Sequence, residues 1–359
     1  MASRTVVSIE KDAFLIDGVP TYAGRRFGAM KIEGLLLNAR LVQGVFDDRN
    51  PETRSRWAYP DGPWDAERNT SAFIAAMPAW REAGLLSFTI NLQGGSPEGY
   101  SKAQPWDNAA FTREGEPEPA YLQRLGRILD AADDLGMAPI LGLFYFGQDR
   151  RLHDERAVVR AVEAVTDWLI ERSDRHVLIE IANEVDVGHY TRDILKAHRC
   201  HELIELVQVK SMGRLDTPAG RLLVSTSTRG GTQPPDPIMR VADFILLHGN
   251  SVEEPERIRE MIRTCRGNPV YKGQPIVFNE DDHFAFDEAD NNMLAAIGAY
   301  AGWGYFDYRR DGEGFDEGYQ SVPVNWSISS ERKRGFFGLL AKITGAGDDI
   351  RQPMAGEGS

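Results

Sequence analysis

The chain has 359 residues, 42% hydrophobic and 26% charged, with a net charge of −13. A globular chain of this size and composition can bury a large core. Its acidic residues are dispersed and its Lys and Arg do not cluster, which excludes a general polyanion binder and so nucleic acid as a partner. No run of about 18 apolar residues occurs, which excludes an apolar membrane-spanning helix.

The N-terminal stretch MASRTVVSIEKDAFLIDG has no apolar core of signal-peptide length. As written the chain therefore reads as cytoplasmic, or as secreted or periplasmic if a leader has been removed. Phe14-Leu15-Ile16 and Val19-Pro20-Thr21-Tyr22 flank Asp17-Gly18, a two-residue turn signal that predicts a β-hairpin. Residues 1–27 then form a hairpin cap able to plug the bottom of a barrel.

From there, short apolar runs alternate with amphipathic stretches. Strands are predicted at 35–37, 86–91, 138–144, 177–181, 221–225, 243–247, 276–279 and 302–308. Most are apolar throughout, as strands buried on both faces are. Helices are predicted at 69–83, 118–135, 154–172, 192–212, 255–264, 288–301 and 331–344, several of them followed by Gly as at 84 and 136. Eight strands alternating with helices predict an α/β fold of the (β/α)8 barrel type. A doubly wound sheet is the alternative, but no G-x-G-x-x-G follows the first strand. Residues 1–345 read as a single catalytic domain and 346–359 as a flexible tail.

Two long loops follow strands 1 and 2, at 38–65 and 91–115. Loops of this length in a compact domain are usually functional, and both leave the strand ends where barrel active sites sit. Trp57, Tyr59, Trp64, Tyr100 and Trp106 lie on them, either as flat platforms for sugar faces or as anchors for the loops themselves. The two cysteines, Cys200 and Cys265, read as reduced thiols. In the run His198-Arg199-Cys200-His201 the two histidines would share a helix face, but Cys200 would point away, so no metal is expected there.

The chemistry concentrates at two strand ends. Strand 4 runs Val177-Leu-Ile-Glu-Ile-Ala-Asn183-Glu184, and strand 7 runs Pro275-Ile-Val-Phe-Asn279-Glu280-Asp-Asp-His283. Glu184 and Glu280 are 96 residues apart by number. Three βα units of a typical barrel take roughly 94, so the two carboxylates can face each other across the mouth. Glycosidic hydrolysis needs such a pair, one carboxyl protonated for the leaving oxygen and one ionised to attack. Asn183 suits a hydrogen bond to the sugar 2-hydroxyl. Asn38, Arg40 and Gln43 follow strand 1, Asn91 and Gln93 strand 2, and Gln148 and Arg151 strand 3. With His248, Asn250, Asp282, His283 and Tyr308 they are candidate sugar ligands, converging on one mouth.

The pair IANE and IVFNE resembles the catalytic pair of glycoside hydrolase clan A, the cellulase-like (β/α)8 enzymes, with an acid/base Glu after Asn on strand 4 and a nucleophile Glu ending strand 7. The resemblance covers roughly residues 15–345. It implies a retaining glycoside hydrolase acting on an oligosaccharide or glycoside, with Glu184 as acid/base, Glu280 as nucleophile and no metal or organic cofactor. Two departures leave the family and substrate open. His248-Gly249-Asn250 offers no Tyr on strand 6 for the nucleophile, and Trp303 lies near the start of strand 8, not under the sugar at its end. Two other readings stand beside this one. In the first, Glu184, Glu280, Asp282 and His248 hold a divalent ion in a sugar isomerase or epimerase. In the second, the barrel binds carbohydrate without turnover. Neither oligomeric state nor sugar identity is written in the sequence.

Overall fold

Asp17 and Gly18 adopt φ of 53° and 77°, the double left-handed geometry of a two-residue hairpin turn. In the computed structural model, which describes residues 2–101, 103–108 and 110–346, this turn joins strands Ala13–Ile16 and Val19–Pro20. A further strand, Val7–Glu10, pairs antiparallel with Ala13–Ile16. Its turn passes through Lys11 at φ 57° without a glycine, so the sequence carries little signal for it. Val7 and Phe14 are buried with Leu36, Ile140, Leu178, Leu223, Leu246 and Val277, residues at the starts of the barrel strands. The hairpin therefore plugs the bottom of the barrel.

The barrel strands are β1 (Asn38–Arg40), β2 (Ser87–Asn91), β3 (Ile140–Phe144), β4 (Leu178–Ala182), β5 (Leu223–Ser225), β6 (Ile245–His248), β7 (Ile276–Glu280) and β8 (Gly304–Tyr305). Neighbours pair in parallel from β5 through β1 to β8, and β6 pairs with β7. Bridges Ser227–Leu246, Val277–Gly302 and Asp281–Tyr305 close the ring. The intervening helices are α1 (Ala66–Glu82), α2 (Pro119–Asp134), α3 (Glu155–Arg172), α4 (His201–Ser211), α5 (Asp236–Val241), α6 (Pro255–Gly267), α7 (Asn292–Gly298) and α8 (Glu331–Thr344). The fold is an α/β (β/α)8 barrel, as the alternation predicts. Among the described residues no helix is long and apolar enough to cross a membrane.

Several boundaries differ from the sequence reading, β8 shrinking from 302–308 to 304–305 and α7 from 288–301 to 292–298 among them, and three differences have a clear cause. Strand β1 is 38–40 and not 35–37, because the Leu run packs beneath the barrel while the polar Asn38 and Arg40 fill its interior. The helix expected over 192–212 is a short 3-10 turn, Asp193–Leu195, then an extended Lys196, then α4. His198 and His201 thus do not share a helix face, and His198 pairs with Asp193. Helix α5 is a single six-residue segment after Pro235, too short to show a period. The tail expected from residue 346 lies, from 347 onward, outside the described residues.

The barrel interior carries amides, and glycines make room for them. A Cβ on Gly142 would stand 2.1 Å from Asn91 Oδ1, and one on Gly304 2.2 Å from Asn38 Oδ1. The long loops after β1 and β2 are braced by one buried carboxylate. Asp48 accepts from Trp57 Nε1 and Thr53 Oγ1 through one oxygen, and from the backbone N–H groups of Asn50 and Asp107 through the other. Trp57, Tyr59, Trp64 and Trp106 are all buried and pack edge-on or stacked with one another and Phe46. They anchor the loops, whereas Tyr100 is 55% exposed. Cys200 and Cys265 are buried free thiols, and burial pushes both up to about 12.

Candidate active site

Strand β4 delivers Glu184 through an unusual backbone. Its φ is 52°, a left-handed conformation that costs a non-glycine residue on the order of 1–3 kcal/mol. The Ser227 hydroxyl and carbonyl, just past β5, accept the N–H groups of Glu184 and Val185. This turn ends the strand and aims the carboxylate over the axis. Strand β7 delivers Glu280 directly. A bulge between Leu247 and His248 sets His248 beside Glu280 in the β6–β7 ladder.

One oxygen of Glu184, one of Glu280 and a ring nitrogen of His248 lie within 4.8 Å of one another. The two carboxylates differ in surroundings. Glu280 is the more enclosed. Arg40 Nε lies 2.7 Å from its Oε2, a contact ion pair whose N–H does not point along the hydrogen-bond direction. Asn250 Nδ2 donates to its Oε1 at 2.6 Å. Glu184 Oε1 lies 2.9 Å from His248 Nδ1, with a proton between them, and His248 Nδ1 is 3.6 Å from Glu280 Oε2. Burial opposes charge on His248, but Glu280 and Glu184 outweigh it and raise its pKa above the ordinary histidine value.

Beneath the pair sits Glu180, fully buried in mid-strand. Burial pushes its carboxyl up, against the pull of Arg40 and His248. Asn279 Nδ2 approaches it at 3.3 Å. Burial also works against the Arg40 charge, but Glu280 and Glu180 more than offset this and hold its pKa above the ordinary arginine value. Arg40 is the counterion of the whole floor. Arg40 Nη1, His248 Nε2 and Asn250 Oδ1 are buried without a protein partner, a concentration of unmet polar groups that suits a binding site.

Of the sequence-predicted ligands, the structure brings Arg40, Asn183, His248, Asn250, Asp282 and Tyr308 to this mouth. Asn183 Oδ1 accepts from Arg40 Nη2 at 2.8 Å. Tyr100 donates its hydroxyl to Asp282 Oδ2, accepts from Asn250 Nδ2, and packs edge-on to Phe306 and Tyr308. The place with no strand-6 Tyr is thus filled by Asn250, backed by Tyr100 from the loop after β2.

The remaining candidates make hydrogen bonds within the barrel and its loops. Asn38 donates to the Phe278 carbonyl deep in the barrel. Gln43 and Asn91 donate to the carbonyls of Gly95 and Gly94. Gln93 accepts the Tyr145 N–H. Gln148 and Arg151 donate to the Trp106 carbonyl. His283 turns to Asp281, 2.6 Å away. A polar residue just past a strand end can point into the loop layer as easily as into the mouth, and spacing alone does not separate the two.

Sequence reasoning passed over Glu180, Tyr145 and Phe306. A charged residue in the middle of the apolar run VLIEIA was the available signal for Glu180, since a fully buried carboxylate needs a partner. Tyr145 and Phe306 stand beside other aromatics at strand ends, where one more ring carries no separate signal.

Among the described residues two groups of side chains have the spacing for an ion, Glu184–His248–Glu280 and Asp281–Asp282–His283. In the first, the Arg40 guanidinium already stands against Glu280 where a cation would go. In the second, Asp281 is engaged by His283, Asn292 and Trp303.

No family model matches the chain, and no curated protein does. Solved structures do share its fold. A glycoside hydrolase family 5 mannosidase from Rhizomucor miehei superposes with a TM-score of 0.56 at 12% identity, over 97% of this chain and 100% of that one. A broad-specificity endoglucanase from Bacteroides salanitronis gives 0.55 at 13%, over 86% and 93%. A glycoside hydrolase of family 5 from Bacteroides vulgatus gives 0.55 at 11%, over 93% and 69%. At such identities the likeness establishes the barrel, and the chemistry rests on the site.

Proposed function

We propose that the chain is a retaining glycoside hydrolase in which Glu280 is the nucleophile and Glu184 the general acid/base. The observation that carries this is the spacing. The nearest oxygens of Glu184 and Glu280 lie within 4.8 Å of each other, which fits the close spacing of retaining pairs, roughly 5–5.5 Å, better than the roughly 6.5–9.5 Å that leaves room for an attacking water. The fold shared with glycoside hydrolases supports the same reading. The single core running from Ile32 to Ile343 supports treating residues 1–345 as one catalytic unit.

In the first step Glu280 Oε attacks the anomeric carbon as Glu184 passes its proton to the leaving oxygen. The glycosyl–Glu280 ester is neutral, so Glu184 then takes a proton from water, and the hydroxide breaks the ester with a second inversion. Arg40 and Asn250 aim Glu280 and take back its charge on departure. Asn183 is placed for the sugar 2-hydroxyl, and Asp282, Tyr308 and Tyr100 form the rim. An oligosaccharide or glycoside is the substrate. The arrangement needs no metal, since Arg40 supplies the positive charge. The test is proton NMR of the first product formed from nitrophenyl glycosides of several sugars. Retained anomeric configuration is expected, and inversion would sink the assignment of Glu280.

The pKa of His248 is held above the ordinary histidine value and its Nδ1 lies 2.9 Å from Glu184 Oε1, so His248→Asn is expected to take this group out of the kcat/KM profile and move its alkaline limb. The same raised value gives stability that is present below about 6.5 and lost as pH rises through the folded pKa. An unmoved alkaline limb would remove His248 from the proton pathway.

A further inference from the structure

Arg40, Arg151 and Arg309 follow barrel strands in the sequence, and the structure uses all three internally. Arg40 faces Glu280, Arg151 donates to loop carbonyls, and Arg309 donates to Ser321 and Pro323 carbonyls. Further positive charge lies elsewhere. A cavity of about 760 Å³ opens over the loops that follow β3, β4 and β5, with Tyr100 as the wall it shares with the catalytic mouth. That volume is within the roughly 300–1,000 Å³ of small-molecule sites. Its lining includes Phe146, Arg150, His189 and Arg229 but no Asp or Glu, in a chain whose net charge is −13.

Position decides which half of the substrate this cleft receives. It begins where the Val187 N–H donates to the Glu184 carbonyl, on the side of the residue that protonates the leaving oxygen. Phe146, stacked on Tyr145 at 4.2 Å, and the His189 ring 5.9 Å from Phe146 offer flat faces for a ring. Among the described residues no carboxylate lies within ion-pair distance of Arg150, which donates to the Gln104 carbonyl at 2.7 Å. Arg229 faces Asp186 at 3.6 Å, and Asp186 also accepts from the Thr232 hydroxyl and the Arg229 N–H.

We propose that this cleft is the leaving-group site and that it takes a ring bearing a carboxylate, set between Arg150 and Arg229. The inference rests on the hydrolase reading for its direction, while the binding chemistry is independent of turnover. A uronic acid and a phenolic acid both present this chemistry, and the probes separate them.

The experiment measures binding of 4-hydroxybenzoate against 4-hydroxybenzamide, and of glucuronate against glucuronamide, by the wild type and by Arg150→Gln/Arg229→Gln. Each acid is expected to bind about five- to tenfold tighter than its amide, the scale of two partly exposed ion pairs. High salt should erode this preference, because such pairs are screened, and the double variant should abolish it. A larger preference in the benzoate pair would indicate an aromatic leaving group, and in the glucuronate pair a sugar. In parallel, 4-carboxyphenyl and 4-carbamoylphenyl β-glucosides and β-mannosides report hydrolysis. Acid-selective binding that the double variant loses, with neither these glycosides nor the nitrophenyl glycosides of any other sugar cleaved, would uphold the cleft and overturn the hydrolase. Glycosides cleaved with acid and amide bound equally would overturn the cleft alone.

Discussion

Glu280→Ala is expected to lower kcat on every glycoside by on the order of 10⁴–10⁶-fold, the scale of losing a nucleophile that acts with its partners as a unit. Glu184→Ala is expected to behave differently by substrate. Alkyl and sugar leaving groups, which need the proton, should lose about 10²–10⁴-fold in kcat/KM. A dinitrophenyl glycoside leaves unaided, so its kcat/KM should fall far less. Its turnover should then stall at the glycosyl–Glu280 ester, because Glu184 is also the base that activates water. A burst of dinitrophenol followed by a slow steady state is the signature, and azide, which attacks without base assistance, should restore turnover as the glycosyl azide. The divergence follows from the unequal surroundings of the two carboxylates. Glu280 is gripped by Arg40 and Asn250, whereas among the described residues the Glu184 carboxylate hydrogen-bonds to His248. Equal losses on activated and unactivated substrates would remove Glu184 as the acid. A fully active Glu280→Ala would remove the mechanism.

That Glu184 and Glu280 face each other was legible in the sequence because two independent signals agree, an apolar strand ending in a carboxylate and its recurrence three βα units later. The barrel was legible for the same reason, since alternation survives errors at single boundaries. What escaped detection was everything decided by direction. Gln148 and Gln93 follow strands just as Asn183 does, yet the first braces the Trp106 loop and the second holds the Tyr145 backbone. Tyr100 lies 150 residues before Asn250 and reaches it only because its loop crosses the mouth. Glu180 was hidden by its neighbours, as an alternating strand interior reads as one apolar run when a single residue of it is charged. Strand β1 was misplaced by three residues for the same cause. Its polar interior, Asn38 and Arg40, looks less like a strand than the leucines that precede it.

Arg40 ties these hidden parts together, and its removal is expected to be the most damaging single change to stability. Its Nε faces Glu280, its Nη2 donates to Asn183, and its charge offsets the buried Glu180 below. Removing one partner of a buried ion pair costs about 3–5 kcal/mol, because the other charge remains without compensation. Arg40→Met fills the space without the charge and should show that loss in a denaturant titration at pH 7. Lysine should rescue only part of it, since one ammonium cannot reproduce a planar fork that faces Glu280 and Asn183 at once. The pH dependence carries the sign. Without Arg40 the Glu180 carboxyl, already raised by burial, rises further. A carboxyl whose folded pKa exceeds its unfolded value destabilises the protein above the unfolded value near 4.3, and the penalty fades as pH falls towards it. The deficit of Arg40→Met against wild type should therefore shrink between pH 7 and pH 4.5. A deficit that is constant over this range would mean that the variant loses packing and hydrogen bonds alone, and that Arg40 is not the counterion on which the buried carboxylates depend.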